Sequence, residues 1–134
     1  TGVGIPQLTA IMDVYEATQG KIPIIADGGI KKPGDVVKAL GAGANTVMCG
    51  YIFAGCDETP YRSKVSDTRL YRGSSSQGVK GEAAFVEGTE LNIKPKGPVK
   101  DIINKYLEGL SSGMTYVGAR DMNGLVGKAE FILK

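Results

Sequence analysis

Asp27, Gly28 and Gly29 close an apolar run, "IPIIADGGI" at residues 22–30, and a second run, "NTVMCG" at residues 45–50, closes on Gly50. An acid and bare backbone at two successive strand ends suit a definite chemistry. Glycine lets main-chain N–H groups approach an anion to hydrogen-bond distance, and a following helix N-terminus adds favourable potential. Asp27 has the wrong charge for a phosphate, but its two oxygens can accept from the two hydroxyls of a ribose. A lone Asp-Gly-Gly would read as a turn whose acid caps the next helix. Its recurrence one unit later puts the phosphate site ahead.

The surrounding elements must hold these ends in place. Pro6 suits the first turn of a helix with Leu8, Ile11, Met12 and Tyr15 as its apolar stripe, stopped by Gly20. The interior strand Ile22–Ala26 follows, and Pro33 opens a second helix with Val36, Val37 and Leu40 inward, ended by Gly41 or Gly43. Residues 45–50 form another short buried strand. Helix and strand in such quick alternation predict a parallel sheet with helices outside. In a (β/α)8 barrel, ligands sit at the C-terminal strand ends, and phosphate is commonly held by the loops after the last two strands.

From residue 61 to 96 the chain turns polar and glycine-dotted, with Ser74, Ser75 and Ser76 in a row. This predicts a hairpin or flap inserted into the βα pattern. Lys94 and Lys96 read as solvated edge charges outside any site. After Pro98, Val99, Ile102, Ile103, Tyr106, Leu107 and Leu110 recur at helical spacing, with Gly113 as the stop. A helical turn over 120–126 and a final strand "AEFILK" complete one domain, residues 1–134.

Composition bounds the function. The chain has 134 residues, 42% hydrophobic and 22% charged, so a globular fold is expected. Sixteen basic against fourteen acidic residues give a net charge of +2 and no reason to expect a nucleic-acid or membrane partner. Histidine is absent, which removes imidazole catalysis and the commonest metal ligand from the chain. Cys49 and Cys56 are not spaced for zinc, and no metal site is predicted. Cys49 falls within an apolar strand, and Cys56 has no activating neighbour fixed by sequence. Two thiols and no apolar stretch long enough to span a bilayer predict a cytoplasmic protein. The chain opens on "TGVGIPQ" without a methionine, which suggests a piece of something longer.

The strings "GVGIPQLTA", "IPIIADGGI", "GDVVKALGAGANTVMCG", "FAG", "YRGSSS" and "SGMTYVGA" occur in the order seen in the IMP dehydrogenase/GMP reductase family, and the chain resembles that family over nearly its whole length. The resemblance implies an α/β fold, the C-terminal part of a (β/α)8 TIM barrel with a flap or hairpin inserted at about 61–96. It implies Asp27 as acceptor for the ribose diol. Gly28, Gly29 and Gly50 become backbone donors to the 5′-phosphate, and Tyr71 a phosphate hydroxyl contact. Gly73 and Ser75 border the purine, while Glu87 reads the base edge and serves catalysis. Tyr51 stands beside the phosphate where most members have a small residue, so its bulk must turn away. Ser112 and Gly118, with Ser111 and Thr115, fall in a segment used near the dinucleotide, although helix-end polarity explains them equally. The family's nucleophilic cysteine would lie upstream of "TGVG", so the chain as given should bind poorly and catalyse nothing.

Family members join purine C2 covalently to that cysteine, and either pass hydride from IMP to NAD or expel ammonia from GMP using NADPH. The dehydrogenases activate water with an Arg-Tyr pair on a long flap. Here residues 73–87, "GSSSQGVKGEAAFVE", contain neither arginine nor tyrosine, and the paired Ser75-Ser76 is similar to the reductases. Ala84 replaces an arginine that some reductases place three residues before the flap acid. The reading is therefore a GMP reductase using NADPH, with IMP dehydrogenase using NAD, and then potassium, as the alternative. A purine nucleoside monophosphate is the expected partner, and the resemblance implies a homotetramer. A different class is a non-catalytic nucleotide-binding half barrel, whose open sheet edges would pair with another chain.

Overall fold

Tyr15 shows how tightly the first part of the chain is drawn together: its ring lies against Gly20, Gly43 and Gly127, three turns far apart in sequence. The computed structural model describes residues 3–60, 67–80, 88 and 90–132. It divides into two compact units, one over Val3–Cys49 and the chain from Asn104 onward, the other over Gly50–Ile103.

In the first unit, α1 (Gln7–Thr18) begins after Pro6, whose φ of −55° sets the entry angle. Ile11 is buried, Leu8 and Tyr15 are half-buried, and Met12 is exposed. Gln19 at φ 53° turns the chain, and the N–H groups of Gln19 and Gly20 donate back to Glu16 O and Tyr15 O at 3.0 and 3.2 Å. Strands β1 (Ile25–Asp27) and β2 (Thr46–Met48) pair in parallel, Ile25 opposite Thr46 and Asp27 opposite Met48. Asn45 pins their entry, its Oδ1 accepting from Ile24 N at 2.8 Å while its own N–H donates to Ile24 O at 2.8 Å.

These strands are shorter and less buried than the apolar runs predict. Ala26 is buried, but Ile22 is 61% exposed, Ile25 56% and Met48 52%. Among the described residues each strand has one neighbour, and α2 packs on β2. Side chains alternate across a strand, so one face is covered and the other stays open.

Helix α2 (Pro33–Gly41) starts at Pro33 as expected and buries Val36 and Leu40, with Val37 half-buried. Asp35 reaches back over the first turn, its Oδ2 accepting from Lys31 N at 3.0 Å and Lys32 N at 2.9 Å. Burial pushes the Asp35 carboxyl up, but these two N–H groups and the Lys38 ammonium outweigh it and hold the group below the ordinary carboxylate value.

Helix α4 (Val99–Tyr116) does not stop at Gly113. A Cβ on Gly113 would meet the Val37 methyls, and one on Gly109 would meet the Pro33 ring, so the two glycines let α4 approach α2 closely. Tyr106 adds a hydrogen bond from its hydroxyl to Lys31 O at 2.7 Å. Helix α5 (Met122–Leu125) is capped by Asp121, which accepts from Gly124 N at 2.8 Å, and its Leu125 is fully buried. No strand forms over residues 129–132. Instead Ala129 N donates to Gly41 O at 3.2 Å, so that segment closes on the end of α2.

In the second unit, β3 (Arg69–Arg72) and β4 (Glu90–Ile93) pair antiparallel, with Arg69 opposite Ile93 and Tyr71 opposite Leu91. Between them lies the short α3 (Gln77–Lys80). The excursion predicted over 61–96 falls partly outside the described residues. Arg69 is buried and meets Asp57 at 3.5 Å and Asp67 at 3.9 Å. A parallel bridge joins Cys56 to Gly97.

Two stability predictions follow from the first unit. Gly43 has φ 122° and no room for a Cβ beside Tyr15, so Gly43→Ala should destabilise by roughly 2–3 kcal/mol, read as a lowered urea midpoint. Asp35 contributes stability above its unfolded pKa, and that contribution is lost as pH falls through the lower folded value. Asp35→Asn should therefore cost about 1 kcal/mol near neutral pH and flatten the acid limb of the stability curve.

Candidate functional site

At the end of β1 the alternation that buries Ala26 turns Asp27 to the exposed face. Gln7 Nε2 donates to Asp27 O at 2.8 Å, so α1 steadies the strand end through its main chain and leaves the carboxylate out of that contact. Gly28 and Gly29 follow at φ 106° and 78°, left-handed conformations that side chains rarely adopt. A Cβ on either would meet nothing within 4 Å. Among the described residues nothing covers this turned backbone, which suits an anion approaching main-chain N–H groups. Cys49 follows β2, and burial, with the Asp27 charge adding to it, pushes its thiol up. A thiol pushed up in this way stays protonated near neutral pH.

A cavity of about 150 Å³ opens beside this turn, lined by Gln7, Leu8, Ile11, Ala26, Gly28 and Gly29 among others. Ala26 points into it and Asp27 does not line it, so it lies on the helix side of β1. Its volume is also well below the several hundred Å³ that ligand pockets usually enclose.

In the second unit, Gly50 O accepts from Phe53 N at 3.2 Å and Ala54 N at 3.1 Å, which curls residues 50–54 into a turn. Tyr71, on β3, lies alongside: a Cβ at Gly50 would stand 3.5 Å from its ring, an ordinary contact. Tyr51 turns its bulk onto Tyr71, edge to face with ring centroids 5.9 Å apart. Lys96, predicted as a solvated charge, is half-buried with its ammonium 4.6 Å from the Tyr51 ring centroid. It also donates to Tyr51 O at 2.9 Å and Ile52 O at 3.3 Å. Burial pushes the Cys56 thiol up, although Lys96 acts in the opposite direction.

Gly73 O accepts from Ser76 N, and Ser75 O from Gly88 N, each at 2.9 Å, so main-chain bonds tie the serine run to residue 88. Ser75 is half-buried and Ser76 fully buried. Glu87, the predicted catalytic acid, lies outside the described residues. Ser112 is exposed on the last turns of α4. Gly118 at φ 71° ends that helix, which accounts for a glycine there without a ligand.

The structure thus groups Asp27, Gly28 and Gly29 in one unit and Gly50, Tyr51 and Tyr71 in the other. Sequence reasoning missed Gln7 and Lys96. Their partners are main-chain carbonyls 20, 44 and 45 residues away, and residue type carries no sign of them. The only local signal at Lys96 was its place between Pro95 and Gly97. Among the described residues, no helix is long and apolar enough to cross a membrane.

The family model for the IMP dehydrogenase / GMP reductase domain matches residues 1–134. Inosine-5′-monophosphate dehydrogenase of Aquifex aeolicus (strain VF5) is 43% identical over 148 aligned positions, covering 98% of this chain and 30% of that protein. The same-named protein of Chlorobaculum parvum is 41% identical over 152 positions, covering 98% of this chain and 31% of its own length. That of Streptococcus pyogenes is 44% identical over 151, covering 98% and 30%. The chain therefore spans less than a third of the length of these relatives. In each case the match has more positions than the chain's 134 residues, so each relative carries residues with no counterpart here. With its family model matched from the first residue to the last, the chain belongs to the IMP dehydrogenase / GMP reductase domain family.

Proposed function

We propose that this chain is the ribose- and phosphate-holding part of an IMP dehydrogenase within a (β/α)8 barrel, rather than of the GMP reductase favoured by its flap. The observation that carries this is 41–44% identity, over 98% of the chain, to three proteins named inosine-5′-monophosphate dehydrogenase. The lean to a reductase rested on the absence of arginine and tyrosine between Gly73 and Glu87 and on the paired Ser75-Ser76, grounds weaker than identity over nearly the whole chain. A shortened segment explains such an absence without a change of reaction, and the relatives do match over more positions than the chain has.

In this reading the exposed Asp27 carboxylate accepts from the two ribose hydroxyls. The family resemblance makes the N–H groups of Gly28, Gly29 and Gly50 donors to the 5′-phosphate, with the Tyr71 hydroxyl as a further contact and Tyr51 beside it. Charge-assisted donors of this kind outweigh neutral ones roughly twofold. Gly73 and Ser75 border the purine, and Glu87 reads the base edge. Ser112 and Gly118 serve the dinucleotide. A nicotinamide cofactor, NAD here, supplies the acceptor for hydride from purine C2. Holding the purine ribonucleotide still before that transfer is the part played by this chain's own groups.

The protein that carries this chain is expected to reduce NAD in an IMP-dependent manner, followed by nicotinamide absorbance. GMP-dependent NADPH oxidation with ammonia release would instead restore the reductase reading. Saturable IMP binding with neither reaction would favour the non-catalytic half barrel. Gly50 gives a sharper test, because its backbone does not require glycine and a Cβ there meets only ordinary contacts. Gly50→Ala should shift the thermal midpoint by no more than about 2 °C, yet weaken IMP binding about tenfold, measured by calorimetric titration.

A further inference from the structure

Lys96 brackets the turn after Gly50 from both of its ends. Its main-chain N–H donates to Gly55 O at 2.8 Å, while its ammonium donates to Tyr51 O at 2.9 Å and Ile52 O at 3.3 Å. The next residue, Gly97, accepts from Asp57 N at 3.0 Å, so residues 96 and 97 together hold the chain from 51 to 57. Gly55 itself has φ 94°, and a Cβ there would stand 2.9 Å from Lys94 O, which shows how closely the two segments run.

The direction of these contacts matters. In a trans peptide the N–H points opposite to the C=O. Drawing the Tyr51 carbonyl toward the ammonium therefore turns the Ile52 N–H away from it, while the Phe53 N–H is already taken up by Gly50 O at 3.2 Å. A cation at the carbonyl end and an anion at the N–H end are the two favourable partners of a peptide dipole. The ammonium also lies over the Tyr51 ring at 4.6 Å, and that ring packs edge to face on Tyr71. One cation thus fixes a turn, a ring and, through the ring, the Tyr71 side chain beside Gly50. Burial pushes the Lys96 ammonium down from its ordinary value, a sign that it has exchanged water for these contacts.

We infer that Lys96 is a positioning residue for phosphate, holding the Gly50 turn and the Tyr51–Tyr71 pair in the geometry that receives the 5′-phosphate without touching the nucleotide itself. The inference rests on the reading that the Gly50 segment takes the phosphate. Its test separates the two.

Binding of IMP and of inosine, which lacks the phosphate, is measured by calorimetry for the protein that carries this chain and for its Lys96→Met, Lys96→Gln and Lys96→Arg variants. Lys96→Met keeps most of the stem and removes the charge. It should weaken IMP about tenfold and change inosine less than about twofold, and Lys96→Arg should recover most of the loss. If Lys96→Met fails to fold, Lys96→Gln carries the same expectation. An unchanged preference for IMP over inosine in the charge-free variant overturns the inference, as does an equal loss for both ligands, which marks a merely structural role. If the unmodified protein binds inosine as tightly as IMP, the phosphate reading of the segment falls first, and the inference falls with it.

Discussion

The parallel pairing of two three-residue strands governs what this chain can present. With Asp27 opposite Met48, both strands finish at the same end of the pair. Alternation then divides the side chains into two sets. Ala26 and Val47 share one face; Ile25, Asp27, Thr46 and Met48 share the other. Asp27 cannot be offered on that second face without Ile25 and Met48 beside it, which is why two large apolar side chains stand more than half exposed. The acid and the apolar residues are one consequence of one register, and a slip of a single residue would bury Asp27 and expose Ala26.

The helices secure this register through close approach more than through bulk. α4 buries no residue fully, yet it lies against α2 where Gly109 and Gly113 face Pro33 and Val37. The two glycines are four residues apart, and so are their partners, so one turn of each helix fits one turn of the other. Around Tyr15 the arrangement is reversed: one ring fills the space left by Gly20, Gly43 and Gly127. In both places the volume removed at glycine is filled by a side chain distant in sequence. Packing of this kind is sensitive to a single added methyl group.

That non-locality decides what could be read from the sequence. Pro6, Pro33 and Pro98 marked helix starts correctly, because a proline restricts its own backbone whatever surrounds it. Asp27-Gly28-Gly29 was legible for the same reason, since positive φ is a local demand. Gly113 was misread as a helix stop, because a glycine that ends a helix and one that admits a neighbouring helix look alike until Val37 is known to face it. The strands were drawn too long, since an apolar run says that residues avoid water and not which of them find cover. Lys96 was passed over as a surface charge, its carbonyl partners being 44 and 45 residues back along the chain.

The same distinction bears on where a ligand leaves its mark. Gly28 and Gly29 form the more conspicuous motif, yet their backbone conformation already accounts for them, ligand or no ligand. Gly50 has no such excuse. Its φ lies outside the left-handed region, and the nearest atoms to a Cβ there are those of the Tyr71 ring, at ordinary contact distance. Neither strain nor crowding by the described residues selects glycine at this position, whereas a group that must come close to the main chain would. The cation behind the turn points the same way, because an ammonium holding the Tyr51 carbonyl leaves the Ile52 N–H facing away from it. The stronger physical argument for an anion therefore sits at the weaker-looking of the two glycine ends, where the chain's own packing leaves the residue unexplained.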